Sequence, residues 1–177
     1  MSLDTSSPAF HHVEKGWKRI TYTIGETIYH PTHGIGLVQD FETKNVLGTE
    51  YSFAVLFFDR EDLKISLPAK KLEETVRKPI SSSGATAILE TEASSLEPLS
   101  PSWKVRNRNN NERLASGDPL QLLTIVRGLQ DLKSKKGSLN NSDRKHLNLS
   151  LELLTEEFSI ALGQSPETTR VCFEQCS

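Results

Sequence analysis

A chain of 177 residues with 36% hydrophobic side chains can bury one compact core or two small ones, and it holds no apolar run long enough to cross a bilayer. Its two cysteines, Cys172 and Cys176, are too few to staple an oxidised secreted scaffold. No N-terminal stretch has the order of a signal peptide, so a reducing cytoplasm is the expected compartment. The formal net charge of -2 argues at first against a nucleic-acid partner.

Residues 1 to 21 read as a flexible arm, because Ser2 to Pro8 is small and polar and Phe10 to Ile20 carries no sustained periodicity. Residues 22 to 76 read as all-β. Glu26 to Tyr29 is a short strand closed by His30-Pro31, since proline donates nothing to a ladder. Gly34 and Gly36 open a longer strand through Thr43, and Asn45 to Thr49, with Gly48, makes a hairpin turn. The aromatic and β-branched run Tyr51 to Phe58 is a central strand. Asp59 to Asp62 is a charged turn, after which Leu63, Ile65 and Leu67 alternate with Lys64 and Ser66. Five short strands in so few residues imply a small curled sheet or SH3-like barrel.

From residue 77 the pattern becomes helical. Ala85 to Leu96 suits a short helix, and Pro98 and Pro101 bracket a break. Ser102 is placed to cap a helix running from Trp103 towards Ala115. In Ser116-Gly117-Asp118-Pro119 the glycine ends that helix, while aspartate caps the next one with proline at its first position. Leu120, Leu123, Val126 and Leu129 give the following helix a three-to-four-residue rhythm, and Lys135-Lys136-Gly137-Ser138 closes it. Leu147, Leu151, Leu154, Phe158 and Leu162 mark one stripe of the longest helix, which Gly163 stops. Pro166 starts a last helix through Phe173. The fold class is therefore α+β in two parts, a small β domain followed by a compact helical bundle.

Most candidate sites are weak. Cys172 and Cys176 lack the second pair of ligands that a metal needs, as does His11-His12. His30 and His33 have no nucleophile or converging carboxylate, and turn-shaping or surface roles fit them better. Gly34-x-Gly36 lacks the further glycines and lysine of a phosphate loop and leads into a strand. The net charge, however, hides an uneven distribution. Residues 101 to 136 hold eight Lys or Arg against three acidic residues, and the remainder to the C-terminus holds three against six. Such a basic segment suits a phosphate-facing patch, though a solvated helical surface can look the same. Within it, Trp103-Lys104-Val105-Arg106-Asn107-Arg108 offers a flat apolar ring beside cations. On a helix Lys104 and Arg108 share a face, while Arg106 lies about 200 degrees from Lys104. The alternative is a tryptophan that packs its helix onto its neighbours.

These residues resemble the CarD/CdnL family, whose N-terminal module is shared with transcription-repair coupling factor. The likeness rests on Tyr22-Thr23-Ile24-Gly25-Glu26-Thr27-Ile28-Tyr29-His30-Pro31-Thr32-His33-Gly34-Ile35-Gly36-Leu37-Val38, on Glu42-Thr43 and on Leu67-Pro68-Ala69. In the second half it rests on Trp103, Arg106, Leu114-Ala115-Ser116-Gly117-Asp118 and Val126-Arg127-Gly128-Leu129. It implies a Tudor-like domain over residues 22 to 76 that pairs a strand edge with the β1 lobe of the RNA polymerase β subunit. It implies a DNA-contacting helical domain over residues 77 to 177 at the upstream edge of the promoter bubble, and neither catalytic activity nor a cofactor. By position, Trp103 is the minor-groove wedge, Arg106 a backbone contact, and Lys104 and Arg108 supports. Thr43 and Lys44 lie on the strand expected to face polymerase. Lysine keeps the charge usual at position 44 without arginine's bidentate fork, whereas Ser66 replaces an arginine of some relatives. The expected protein is a cytoplasmic, nucleoid-associated monomer with no membrane partner; a polymerase-bound adaptor without DNA contact is the alternative.

Overall fold

The computed structural model describes residues 22–174; the N-terminal arm, His11, His12 and Cys176 lie outside the described residues. Strands β1 (Thr27–His30), β2 (Gly34–Val46), β3 (Thr49–Phe58) and β4 (Leu63–Pro68) form one antiparallel sheet in chain order. Its curl has a local cause. The β2–β3 register shifts between Val38 and Asp40, and an extra residue in one strand bends it and increases its twist. Across the concave side, Ile28, Val38, Ala54, Leu56 and Phe58 bury a core that Tyr22, Leu72 and Val76 complete. The hairpin turn is tight. Val46 faces Thr49, and Leu47 and Gly48 both take positive φ, 53° and 82°, as a two-residue type I′ turn requires.

The sequence pattern led us to expect five strands; four are present among the described residues. After β4 the chain makes a 3₁₀ turn at Ala69–Lys71 and a single helical turn, α1 (Leu72–Thr75). The reason is spacing: Leu72 and Val76 are four apart, so one turn of helix, not a strand, sends both into the core. In place of a fifth strand, Arg77 makes one bridge to Tyr29, with N–H to O distances of 2.8 and 3.0 Å. The result is a Tudor/SH3-like half-barrel.

The helical part comprises α2 (Ser82–Leu89), α3 (Trp103–Ser116), α4 (Pro119–Lys136), α5 (Asn141–Leu162) and α6 (Pro166–Glu174). Helix α2 is shorter than expected. Its continuation, Thr91 to Ser95, is rich in side chains that hydrogen-bond their own backbone, and Ser95 Oγ donates to the Glu92 carbonyl at 2.7 Å. The Asp118 cap forms as expected, its carboxylate accepting from Gln121 N–H at 3.0 Å. Leu122, Leu123, Ile125, Val126 and Leu129 of α4 face Leu147, Leu151, Leu154 and Phe158 of α5 across the centre of the bundle. Phe173 of α6 meets Phe158 edge-on, with ring centroids 5.2 Å apart. Leu120, expected on the same face, is exposed at the start of α4. No helix of the described residues is long and apolar enough to cross a membrane.

Candidate nucleic-acid interface

Helix α3 is the most polar helix of the bundle, and its buried stripe is polar too: Arg106, Asn110 and Arg113 recur at three-to-four-residue spacing and all turn inward. Hydrogen bonds and ion pairs therefore hold most of α3, with Leu114 adding apolar contact near its C-terminal end. Arg113 reaches Glu97 at 2.7 Å and Gln121 at 3.2 Å. His146 Nε2 lies 3.0 Å from Asn111 Oδ1, and Ser142 Oγ donates to Asn107. Burial lowers the His146 pKa, against a smaller opposing pull from Asp143.

The face carrying Lys104 and Arg108 is left to solvent, and Trp103, in line with the buried stripe, lies beyond its end. Trp103, the first residue of α3, is 57% exposed, which removes the reading of it as a core residue. Lys104 Nζ lies 5.9 Å from the Trp103 ring centroid, within cation–π reach. Arg108 is well exposed and sits 3.9 Å from Glu112 on the next turn. Ser102 stands at the N-cap position, but its side chain accepts no capping hydrogen bond, contrary to expectation.

Arg106 is a correction. Expected as a DNA-backbone contact, it is only 3% exposed, and its guanidinium is already engaged. Nε and Nη2 donate to the two Asp143 oxygens at 2.9 and 2.6 Å, and Nη1 donates to the carbonyls of Ser100 and Pro101 at 2.8 and 3.3 Å. Asp143 also takes a 2.7 Å hydrogen bond from Asn140. Arg106 thus clamps the segment entering α3 onto the start of α5 and fixes the base of the Trp103 platform.

The second candidate surface is the outer half of β2. Beyond Val38, β2 pairs with β3 alone among the described residues, which leaves alternate backbone groups of Asp40 to Val46 on a free edge. Thr43 and Lys44 both lie there, exposed, but alternation along the strand turns their side chains to opposite faces. Lys44 Nζ lies 3.0 Å from Glu42 and 3.5 Å from Ser66 Oγ, and 5.3 Å from the Phe53 ring centroid. Lys44 and Ser66, two strands apart, are therefore one spot on the surface.

The histidines shape a turn. His30 Nδ1 accepts from the backbone N–H of Thr32 and His33 at 3.1 and 3.4 Å, and burial, with His33 beside it, lowers its pKa. His33 pairs with Glu61 at 2.7 Å. No group of three or more metal-ligating side chains occurs among the described residues.

Sequence reasoning missed three partners: Asp143, Glu156 and Glu157. A signal was present for two of them. Asp143, Leu147, Ser150, Leu154 and Glu157 follow a four–three rhythm on the apolar face of α5, and a carboxylate at such a position must find a buried cation.

Two family models match the chain. The CarD-like/TRCF RID domain covers residues 22–80, and the CarD C-terminal domain covers residues 85–174, more than half of the chain. The chain is also 25% identical over 147 residues to the "Putative transcription factor YdeB" of Bacillus subtilis (strain 168), an alignment spanning 80% of this chain and 93% of that protein. With both domains matched in order, and with a Tudor-like half-barrel leading into a helical bundle, the chain belongs to the CarD family of non-catalytic transcription regulators.

Proposed function

We propose that this chain binds the RNA polymerase β subunit at its β1 lobe through the free β2 edge and stabilises the open promoter complex by wedging Trp103 into the minor groove at the upstream edge of the bubble. The observation that carries this reading is a tryptophan 57% exposed at the start of a clamped helix, with Lys104 beside its ring. A free strand edge binds a partner by backbone hydrogen bonds with little dependence on side chains. A wedge needs no base code: it favours whichever DNA state has an opened or distorted minor groove, and that differential affinity shifts the equilibrium. Lys104 and Arg108 are the phosphate contacts in this reading, and Arg106 holds their platform. The test is a footprint of the polymerase–promoter complex with and without the chain. Protection extending over the upstream bubble edge is expected; its absence leaves a protein-only adaptor.

Two further outcomes follow. Lys44→Glu sets a second carboxylate beside Glu42 at the docking edge. It should weaken binding to the isolated β lobe about three- to tenfold, mostly in the association rate and less at high salt. An unchanged dissociation constant removes Lys44 from the interface. The free chain should bind forked duplex weakly, because Arg108 already faces Glu112. Polymerase tethering should strengthen that binding by raising the local DNA concentration. Titrations at two ionic strengths, with and without polymerase, check this; equal affinities contradict it.

A further inference from the structure

Two sequence blocks far apart in the chain, His30 to Gly34 and Leu114 to Asp118, come together where the β domain meets the bundle. A Cβ on Gly117 would stand 3.0 Å from the Pro31 ring, and one on Gly34 would overlap the Glu156 carboxylate. Gly34 and Gly117 also take positive φ, 74° and 62°. Gly117 lets the α3–α4 corner pack directly against Pro31, while Gly34 leaves room for the Glu156 side chain. Between them sits Arg77. Its guanidinium stacks 3.8 Å from the Tyr29 ring centroid. It donates to both oxygens of Glu157 at 2.5 and 2.8 Å and, from Nε and Nη2, to the Gly117 carbonyl at 3.1 and 2.7 Å. Glu157 is fully buried, and its Oε1 also accepts the Ile80 N–H at 2.7 Å. Next to it, Glu156 accepts the Ile35 N–H at 3.2 Å. One arginine in the connector thus ties together β1, the α3–α4 corner and α5.

We propose that Arg77 and Glu157 are positioning residues that hold the β2 edge and the Trp103 end of α3 at one fixed separation, so that the chain acts as a rigid clamp and not as two tethered modules. This rests on the two-surface reading above. Domain joints of ordinary size permit relative motion. This one contains a planar bidentate pair, whose energy depends on orientation, beside a close approach of Gly117 to Pro31. The geometry is then carried by a single helix. Asp143, which anchors Arg106 beneath Trp103, and Glu157 lie on the same face of α5, about 20 Å apart along its axis. A fixed span matched to polymerase and DNA maximises the effective concentration of the wedge at the fork, and a loose joint dilutes it.

The test has two arms, both on the full-length chain. For the first, spin labels are placed at Tyr51→Cys and Val105→Cys in a Cys172→Ser, Cys176→Ser background, and the distance distribution is read by pulsed electron paramagnetic resonance. A single narrow distribution is expected, broadened by Glu157→Gln. Arg77→Lys, which keeps the charge but loses the fork and the stack, should broaden it as well, so that a folding defect in one variant does not decide the matter. For the second arm, both variants should keep wild-type affinity for the β lobe and for free DNA, yet shorten open-complex lifetime about two- to thirtyfold, the range of coupling exerted by residues between two sites. A merely structural defect would lower the component affinities too. A broad distribution in the wild type, or folded variants with wild-type open-complex lifetimes, overturns the clamp. If Trp103→Ala instead leaves the lifetime unchanged, the wedge reading fails, while the distance measurement still judges the joint.

Discussion

Replacing Trp103 with alanine is expected to shorten the lifetime of promoter open complexes about five- to tenfold, with the fold and β-subunit binding intact. Stacking of an aromatic ring on a base contributes roughly 1–3 kcal/mol. The low end applies, because polymerase supplies many other contacts to the same DNA and a wedge covers less of a base than a full stack. The structure makes this experiment clean. Trp103 is the first residue of α3 and more than half exposed, so its removal should change stability by no more than about 0.5 kcal/mol. Promoter-complex dissociation measured beside a circular dichroism melt separates the two effects. A variant with both wild-type melting and wild-type dissociation would remove the wedge. Trp103→Phe, which keeps a smaller ring, should fall between the wild type and alanine.

Arg106→Ala should behave in the opposite way, with a large loss of stability and no salt-sensitive DNA phenotype of its own. It strands Asp143, 2% exposed, without its cation, and breaking one side of a buried pair costs about 3–5 kcal/mol. For a chain of this size that lowers the melting temperature by about 6–20 °C. The double variant Arg106→Met, Asp143→Leu should recover most of the loss, because two apolar side chains leave no buried charge unpaired. A melting temperature unchanged in Arg106→Ala would show that the clamp contributes nothing. Any weakening of DNA binding by this variant should follow the loss of folded bundle and keep the wild-type salt slope, because Arg106 has no free donors facing a phosphate.

Asp143 and Glu157 illustrate why the candidate site was only partly legible. The proposed wedge and its flanking cations were visible as residue types. Trp103, Lys104 and Arg108 are all exposed, but Trp103 is in line with the buried Arg106–Asn110–Arg113 stripe while Lys104 and Arg108 share another face of α3. Thr43 and Lys44 were visible as neighbours on an edge, yet strand alternation sends them to different faces. Arg106 could not be placed, because a guanidinium reads the same in sequence whether it is hydrated or ion-paired. Its role depends on Asp143, 37 positions away. The same holds for Arg77 and Glu157, 80 positions apart.

Taken alone, the sequence determined where most elements begin and end. Asp118-Pro119, the Asn45 to Thr49 turn with its Gly48, and the Leu147-Leu151-Leu154-Phe158 stripe act over three or four residues, and local backbone sterics or one helical period suffice to read them. Where two local signals competed, as at Leu72 to Val76, the short helix won because it buried two apolar side chains in the sheet's core. Only the tertiary structure decided which charges are buried, which tryptophan face meets solvent and how the two domains are joined. Those outcomes depend on long-range partners that remove a side chain from water, and the free energy of a buried charge is set by the group that meets it.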